Sequence, residues 1–468
     1  MSKMKKLAQI FLALSLLLSP LLSAIPVSAA TSISITSPSN GSTATGSSFT
    51  VTGTATAARK ITVKVNGTTV GTTTSDGSGN WSLNVTGQNA GAKTIEAVAS
   101  VSYLYVPNVG STNMSIINGA TDEVVNIVNT SSNQFNADVR ADGLQMITCS
   151  GFGVGNLVKV WSLADPETPV ITHNLTVPGA HTLSCLYSPN GAYFFVTSEA
   201  GDFSSGTITR FDSSDPTTSA AVAGYNQNMP GGISFSADSS TAYVGNVISS
   251  TMSVINVATN SQTTTFSGGS SGGGGPLMSD GIHGYSTSSS ADVIVPYNTQ
   301  TLSFSTPISV GNSPRGPDLN IDQSQLIVPN NNDDTLSVIS TASNTVTNTI
   351  NLTTSSAPNR LLFSNDYSKA YLAEGGLDRM SILNPTTLSS IGTISLGDGP
   401  GFFEIGPTQS ASASISITLA SATSTETESL ADTGDNSKLL SVFALFLLLS
   451  GMIGTFYVLN IRSSTPAR

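Results

Sequence analysis

One short pattern returns along the chain at a near-constant interval, and that interval restricts the fold more than any other feature. An apolar pair, a small residue and a polar stop appear as YVPN from Tyr105, MITC from Met146, FVTS from Phe195, YVGN from Tyr243, YSTS from Tyr285, IVPN from Ile327 and YLAE from Tyr371. The successive spacings are 41, 49, 48, 42, 42 and 44 residues. Within one unit, from Pro314, the chain reads PRGPDLNI, a polar turn, QLIVPN, the loop Asn331 to Asp334, TLSVIS, another turn, and TVTNTINL. Apolar residues alternate over five to seven positions between clusters of Asn, Asp, Ser and Gly, the mark of period-2 strands joined by tight turns. Four short strands per repeat of about 44 residues predict the blades of a β-propeller, about seven of them.

The first unit, at Ser102 to Val106, begins without an inner strand, and the last breaks off after Gly401-Phe402-Phe403-Glu404-Ile405. This complementarity predicts that the C-terminal segment supplies the missing strand, closing the ring and removing two open sheet edges. Blade five has the weakest inner strand, Pro276-Leu277-Met278, preceded by Gly272 to Gly275.

The repeats resemble the YVTN-type β-propeller repeats of prokaryotic cell-surface proteins. The matching residues are the strand ends Tyr105 to Asn108 and Tyr243 to Asn246, the runs Met252 to Asn256 and Leu336 to Ile339, and the approach Gly311-Asn312-Ser313-Pro314. Blades two and three depart most, with Trp161-Ser162 where the pattern has Ile-Asp.

The two ends carry addresses. Met1 to Ala30 has Lys3, Lys5 and Lys6, an apolar stretch from Leu7 to Leu22 and Val27-Ser28-Ala29, the order of a secretory signal peptide cleaved after Ala29 or Ala30. Leu439 to Leu459 is uncharged and long enough to span a bilayer as a helix, followed by Arg462 and Arg468, which predicts a C-terminal transmembrane segment with the N-terminal bulk outside. Leu430-Ala431-Asp432-Thr433-Gly434 precedes it, and the trio resembles a sortase sorting signal with Ala431 where Pro is commonest. The resemblance implies a sortase and a cell-wall precursor as partners, with Thr433 joined to the wall. A permanent membrane anchor is the alternative. Between ring and anchor, residues 408–429 are almost entirely Ser, Thr, Ala and Glu, a composition that predicts an extended stalk.

Residues 31–100 have their own rhythm of six or seven alternating strands in about 70 residues, the scale of a small β-sandwich. Ser37 to Ser42, Val65-Asn66-Gly67 and Asp76 to Trp81 resemble bacterial Ig-like domains, with Trp81 as core plug. The expected organisation is all-β: signal peptide 1–30, sandwich 31–100, seven-bladed propeller 101–407, stalk 408–429 and sorting signal 430–468.

Without the two ends, residues 30–433 carry 11 Lys and Arg against 27 Asp and Glu, a net charge of −16, which repels polyphosphate and argues against nucleic acid as a partner. Three histidines, His173, His181 and His283, offer little for a metal centre, and no catalytic motif is present. No cofactor is expected. A hard cation such as Ca²⁺ has two candidate loops, Asp76 to Asn80, whose simpler reading is a hairpin turn, and Asn330 to Asp334, which could also hold sugar hydroxyls and whose simpler reading is a solvated turn. Cys149 and Cys185 fall on neighbouring blades and form either a disulfide or two buried thiols. The candidate ligand face gathers the loops around the channel mouth: His181, Arg315 and Arg360 on approach segments, and Asn330, Asp333 and Asp334 between strands. Two arginines there suit a carboxylate or an acidic sugar, unless they pair with local acids such as Asp318. These features describe a surface-anchored, non-enzymatic binding or adhesion protein with an extracellular glycan or protein ligand. The rivals are a propeller enzyme acting on a lactone or polysaccharide, which three or more axial carboxylates or histidines would favour, and a structural envelope protein.

Overall fold

The computed structural model describes residues 31–151, 153–267 and 275–421. The signal peptide with Ala29 and Ala30, the sorting motif Leu430 to Gly434 and the span 439–459 lie outside the described residues. The described chain is all-β, with no helix.

Two sheets form the sandwich. One pairs Ile33–Ser37, Phe49–Ala55 and Asn80–Val85; the other runs Thr43–Thr45, Gln409–Ala420, Gly91–Val101, Lys60–Val65 and Thr68–Thr74 in spatial order. Its core holds Val51, Ile61, Val63, Trp81, Val85 and Ile95, together with Ile417 and Leu419 from the far end of the chain. The sandwich is therefore discontinuous, and the propeller-like part is inserted into it. This corrects the expected stalk: Gln409–Ala420 is a 12-residue strand, and only the remainder beyond Ser421 lies outside the described residues. The register explains why so weakly apolar a segment folds. Ala411, Ala413 and Ile415 stand opposite Ala99, Ala97 and Ile95, so small residues meet small residues at the inner face while the serines point outward.

The inserted part contains seven four-stranded antiparallel sheets. From inside outward the first uses Glu404–Ile405, Tyr103–Asn108, Asn113–Asn118 and Glu123–Asn129, so the C-terminal segment supplies its inner strand as the sequence predicts. Among the described residues the fifth sheet has a bridge between Leu277 and Gly284 at its inner edge, and its outer strand is split into Ser303–Phe304 and Ile308–Ser309 around Pro307, which lacks the N–H a ladder needs. Buried apolar clusters bind each sheet to the next. Between the seventh and first, Tyr371, Ala373 and Met380 meet Leu104, Val106, Ile117 and Phe403, so the series closes on itself.

The repeat signature has a local cause. Asn330 donates from Nδ2 to Thr335 Oγ1 and Ser337 Oγ, both at 2.9 Å, tying the end of one strand to the next; Asn246 does the same to Thr251 and Ser253, and Asn108 to Asn113 and Ser115. The entering Gly311 passes so close that a Cβ would lie 2.7 Å from Asn330, and Gly397 stands likewise against Asn108, which is why the approach begins with glycine. In the last repeat Glu374 takes the position and accepts from Arg379 Nε and Ser381 Oγ, both at 2.5 Å, so a carboxylate is tolerated there because an arginine came with it. Asn330→Ala is expected to cost about 1–3 kcal/mol, read from chemical denaturation. Asn330→Asp costs more, having lost the donor and gained a buried charge without a cation.

Candidate functional site

The strand order divides the ring into two faces. Turns joining the first strand of each sheet to the second, and the third to the fourth, lie on one side; the other loops lie opposite. The sandwich touches the first side throughout: Lys60 Nζ pairs with Asp366 Oδ2 at 2.5 Å, Asn118 Nδ2 donates to the Ala58 carbonyl at 3.0 Å, and Tyr103, after the crossing, donates to Glu167 at 2.5 Å beneath the buried Arg59. The opposite face is the one to which the sequence assigns the candidate ligand residues.

Those residues are largely engaged in holding the loops. Asn330 is fully buried in the strand-end tie described above, which removes it from a ligand face. Asp333 accepts from the Asn312 amide at 2.6 Å, and Asp334 from the amides of Ser355 and Ala357 at 2.7 and 2.8 Å, so each pins the loop of a neighbouring segment. Arg315 Nη1 donates to Asn359 Oδ1 at 3.0 Å, and burial lowers its pKa. Arg360 Nη2 meets Glu404 Oε2 at 3.2 Å, with its guanidinium 5.7 Å from the Phe402 ring centre. Neither arginine stands as an open anion receptor, because each already has a protein acceptor. His181 stays at the head of an inner strand; its Nδ1 is 2.5 Å from Oε1 of the fully buried Glu199, whose other oxygen accepts from the Gly201 amide. Cys149 and Cys185 are two buried thiols in one apolar cluster between the second and third sheets, unbridged in this structure. In the candidate Ca²⁺ loop, Asp76 Oδ1 accepts from the Ser78 and Asn80 amides, as a hairpin turn requires.

The structure assembles a group that reading by motif did not find. Asp318, Arg360, Glu404 and Asp138 stand on the inner strands of the sixth, seventh, first and second sheets, four consecutive members of the ring. Asp318 faces Ile327, Glu404 faces Tyr105 and Asp138 faces Ile147, one equivalent position in three repeats. The second repeat therefore begins at Ile147, one residue later than the sequence pattern places it. The Arg360 and Glu404 side chains each keep about one fifth of their surface accessible (20% and 21%), as side chains lining a narrow axial space do. Burial pushes the Asp318 carboxyl up to about 6, against the Phe363 and Leu319 amides that it accepts from. Burial also drives Asp138 well above the usual range, reinforced by Glu404, and raises Glu404 despite Arg360. Three carboxyls beside one guanidinium cannot all ionise cheaply, so the row holds protons above the pH at which free carboxyls lose them.

The folded-state pKa of Asp318 lies above that of an unfolded carboxyl, so its contribution to stability is fully present at low pH and is lost as pH rises through about 6. Asp318→Asn, which keeps one of the two accepting oxygens, is expected to stabilise the protein by about 1–3 kcal/mol at pH 7.5 and to give no gain near pH 3, below the pKa of an unfolded carboxyl, measured by urea unfolding at both.

Residues 32–97 match the Bacterial Ig domain. The matched segment stops before the crossing into the ring and contains no part of strand Gln409–Ala420, which completes the domain here. No curated protein matches the chain. Among solved structures, the fold is similar to a functionally unknown protein from Desulfotomaculum acetoxidans, at 12% identity over 65% of this chain and 98% of that one, with a TM-score of 0.54. It is similar too to the periplasmic gluconolactonase PpgL of Pseudomonas aeruginosa, at 14% identity over 66% and 99%, with a TM-score of 0.55. At such identities the likeness extends to the propeller-like fold alone.

Proposed function

We propose that this is an exported, surface-tethered binding protein whose seven sheets are the blades of a closed propeller. It presents to an extracellular glycan or protein the face opposite its Ig-like domain, and the segment beyond Ser421 anchors it through a sortase signal or a membrane span. The observation that carries this reading is the docking of the sandwich on one side of the ring, which leaves the loops of the other face uncovered among the described residues; the proposed tether follows the sandwich's last strand. Two exposed apolar side chains stand in loops of the open face, Val154 at 39% and Ile248 at 50%. Weak contacts by many displayed copies would add through effective concentration.

The test is a glycan and matrix-protein array probed with the ectodomain, with and without Ca²⁺. Binding is expected to disappear in Val154→Glu plus Ile248→Glu and to survive in Leu144→Glu plus Ile321→Glu, which alter exposed apolar residues on the sandwich side. Equal loss in both variants, or no binding at all, counts against the reading.

One observation favours a second reading, a propeller enzyme: the axial row Asp138, Asp318 and Glu404 supplies three carboxyls whose burial raises them above the usual carboxylate range, as a general acid needs. Turnover of a lactone or polysaccharide panel, abolished by Glu404→Gln, would replace the binding model. PpgL is the reason for including lactones.

A further inference from the structure

We propose that the discontinuous sandwich is a load-sharing clamp that shields the closure of the ring from tension on the tail. The inference rests on the reading that the chain is tethered beyond Ser421. Pulling on that end loads Gln409–Ala420, and through Thr408 the covalent path leads straight to the closing strand Glu404–Ile405. That strand is a short joint of the ring, held to its sheet by two register pairs, Glu404 with Tyr105 and Ile405 with Leu104, and flanked by single bonds from the Gly401 and Gly406 amides to the Pro107 and Tyr103 carbonyls. Tension along this path alone would draw it out and open the ring.

The sandwich provides a second path. Gln409 to Leu419 pair in unbroken antiparallel register with Val101 to Gly91, eleven pairs lying along the pull, so they are loaded together in shear instead of being unzipped singly. Strand Gly91–Val101 continues at once into Tyr103–Asn108, whose six residues are all buried and which pairs on both sides within the first sheet. Load thus passes from the tail into the best-seated strand of the sheet and bypasses the two-residue closure. Ile417 and Leu419, buried in the sandwich core, grip the strand at its loaded end. There is little slack to take up, because a strand already rises about 3.4 Å per residue, close to the limit of an extended chain.

The experiment pulls the full chain, purified in detergent, between short ligation tags inserted in the exposed loop at Asn332 and after Ser421. Ile417→Ala plus Leu419→Ala is expected to lower the rupture force at fixed loading rate by about half, with the first length gain matching release of the closing strand. Ser100→Cys plus Ser410→Cys, a register pair placed to form a cross-strand disulfide, is expected to raise it, and reductant should return it to the parent value. The cross-linked form decides the matter if the alanine variant does not fold. Rupture forces equal to the parent in the cross-linked form, oxidised and reduced, would overturn the clamp. Failure of the tether itself would show differently, as chain recovered in the culture medium with the force differences unchanged.

Discussion

Removing residues 409–420 is expected to unfold the Ig-like domain, although the segment that matches the domain family stays intact. The deletion leaves Gly91–Val101 with an open edge along eleven paired positions and uncovers Ile95, Ala97 and Ala99, all fully buried in the parent. Loss of Ile417 and Leu419 alone removes about 1.5–3 kcal/mol of burial each. Against a whole-domain stability of about 5–15 kcal/mol, that loss together with the missing ladder exceeds what so small a sandwich can spare. The two tryptophans report the parts separately, because Trp81 lies in the sandwich core and Trp161 between the first and second sheets of the ring. In a Trp161→Phe background the Trp81 emission should shift to the red and lose its cooperative urea transition. An unchanged transition would mean that residues 31–101 fold without their last strand.

The second large effect is expected at the ring closure. Phe403 is fully buried between the seventh and first sheets, against Leu104, Tyr371 and Met380, one residue before the short closing strand. Phe403→Ala leaves a cavity beside a closing strand of two residues, and should cost about 3–5 kcal/mol. Hydrogen exchange should rise first in residues 401–408, while the third and fourth sheets, joined by Phe195, Phe235 and Val244, keep their protection. Uniform acceleration around the ring would instead show that it opens as a single cooperative unit.

The closing strand of the ring and the last strand of the sandwich differ in how far neighbouring residues specify them. The missing inner strand at Ser102 and the surplus one at Gly401 are visible as a mismatch of repeat phase, and the pairing of Glu404 with Tyr105 follows from it. The segment 409–420 has the composition of a linker, because its apolar residues are few and small, and the strand that it covers lies more than 300 residues earlier. Only that neighbour gives alternating Ser and Ala a paired, half-buried face. The candidate ligand residues divide the same way. Asn, Asp and Arg in loops read alike whether they wait for a ligand or bond the adjacent loop, and here Asn330, Asp333, Asp334, Arg315 and Arg360 all have protein partners. Asp138, Asp318 and Glu404 belong to no local motif, and their common feature is an equivalent place in three repeats.

The sequence by itself determined the alternation of strands, the period near 44 residues and the Asn and Gly at the strand ends of several repeats, because each depends on neighbours within a few tens of positions. Tertiary structure alone decided that the sandwich closes around an inserted ring, which face that leaves open, and that three carboxyls and an arginine share the axis. Those outcomes depend on contacts between residues far apart in the chain, where burial and the charge of a spatial neighbour set what a side chain does.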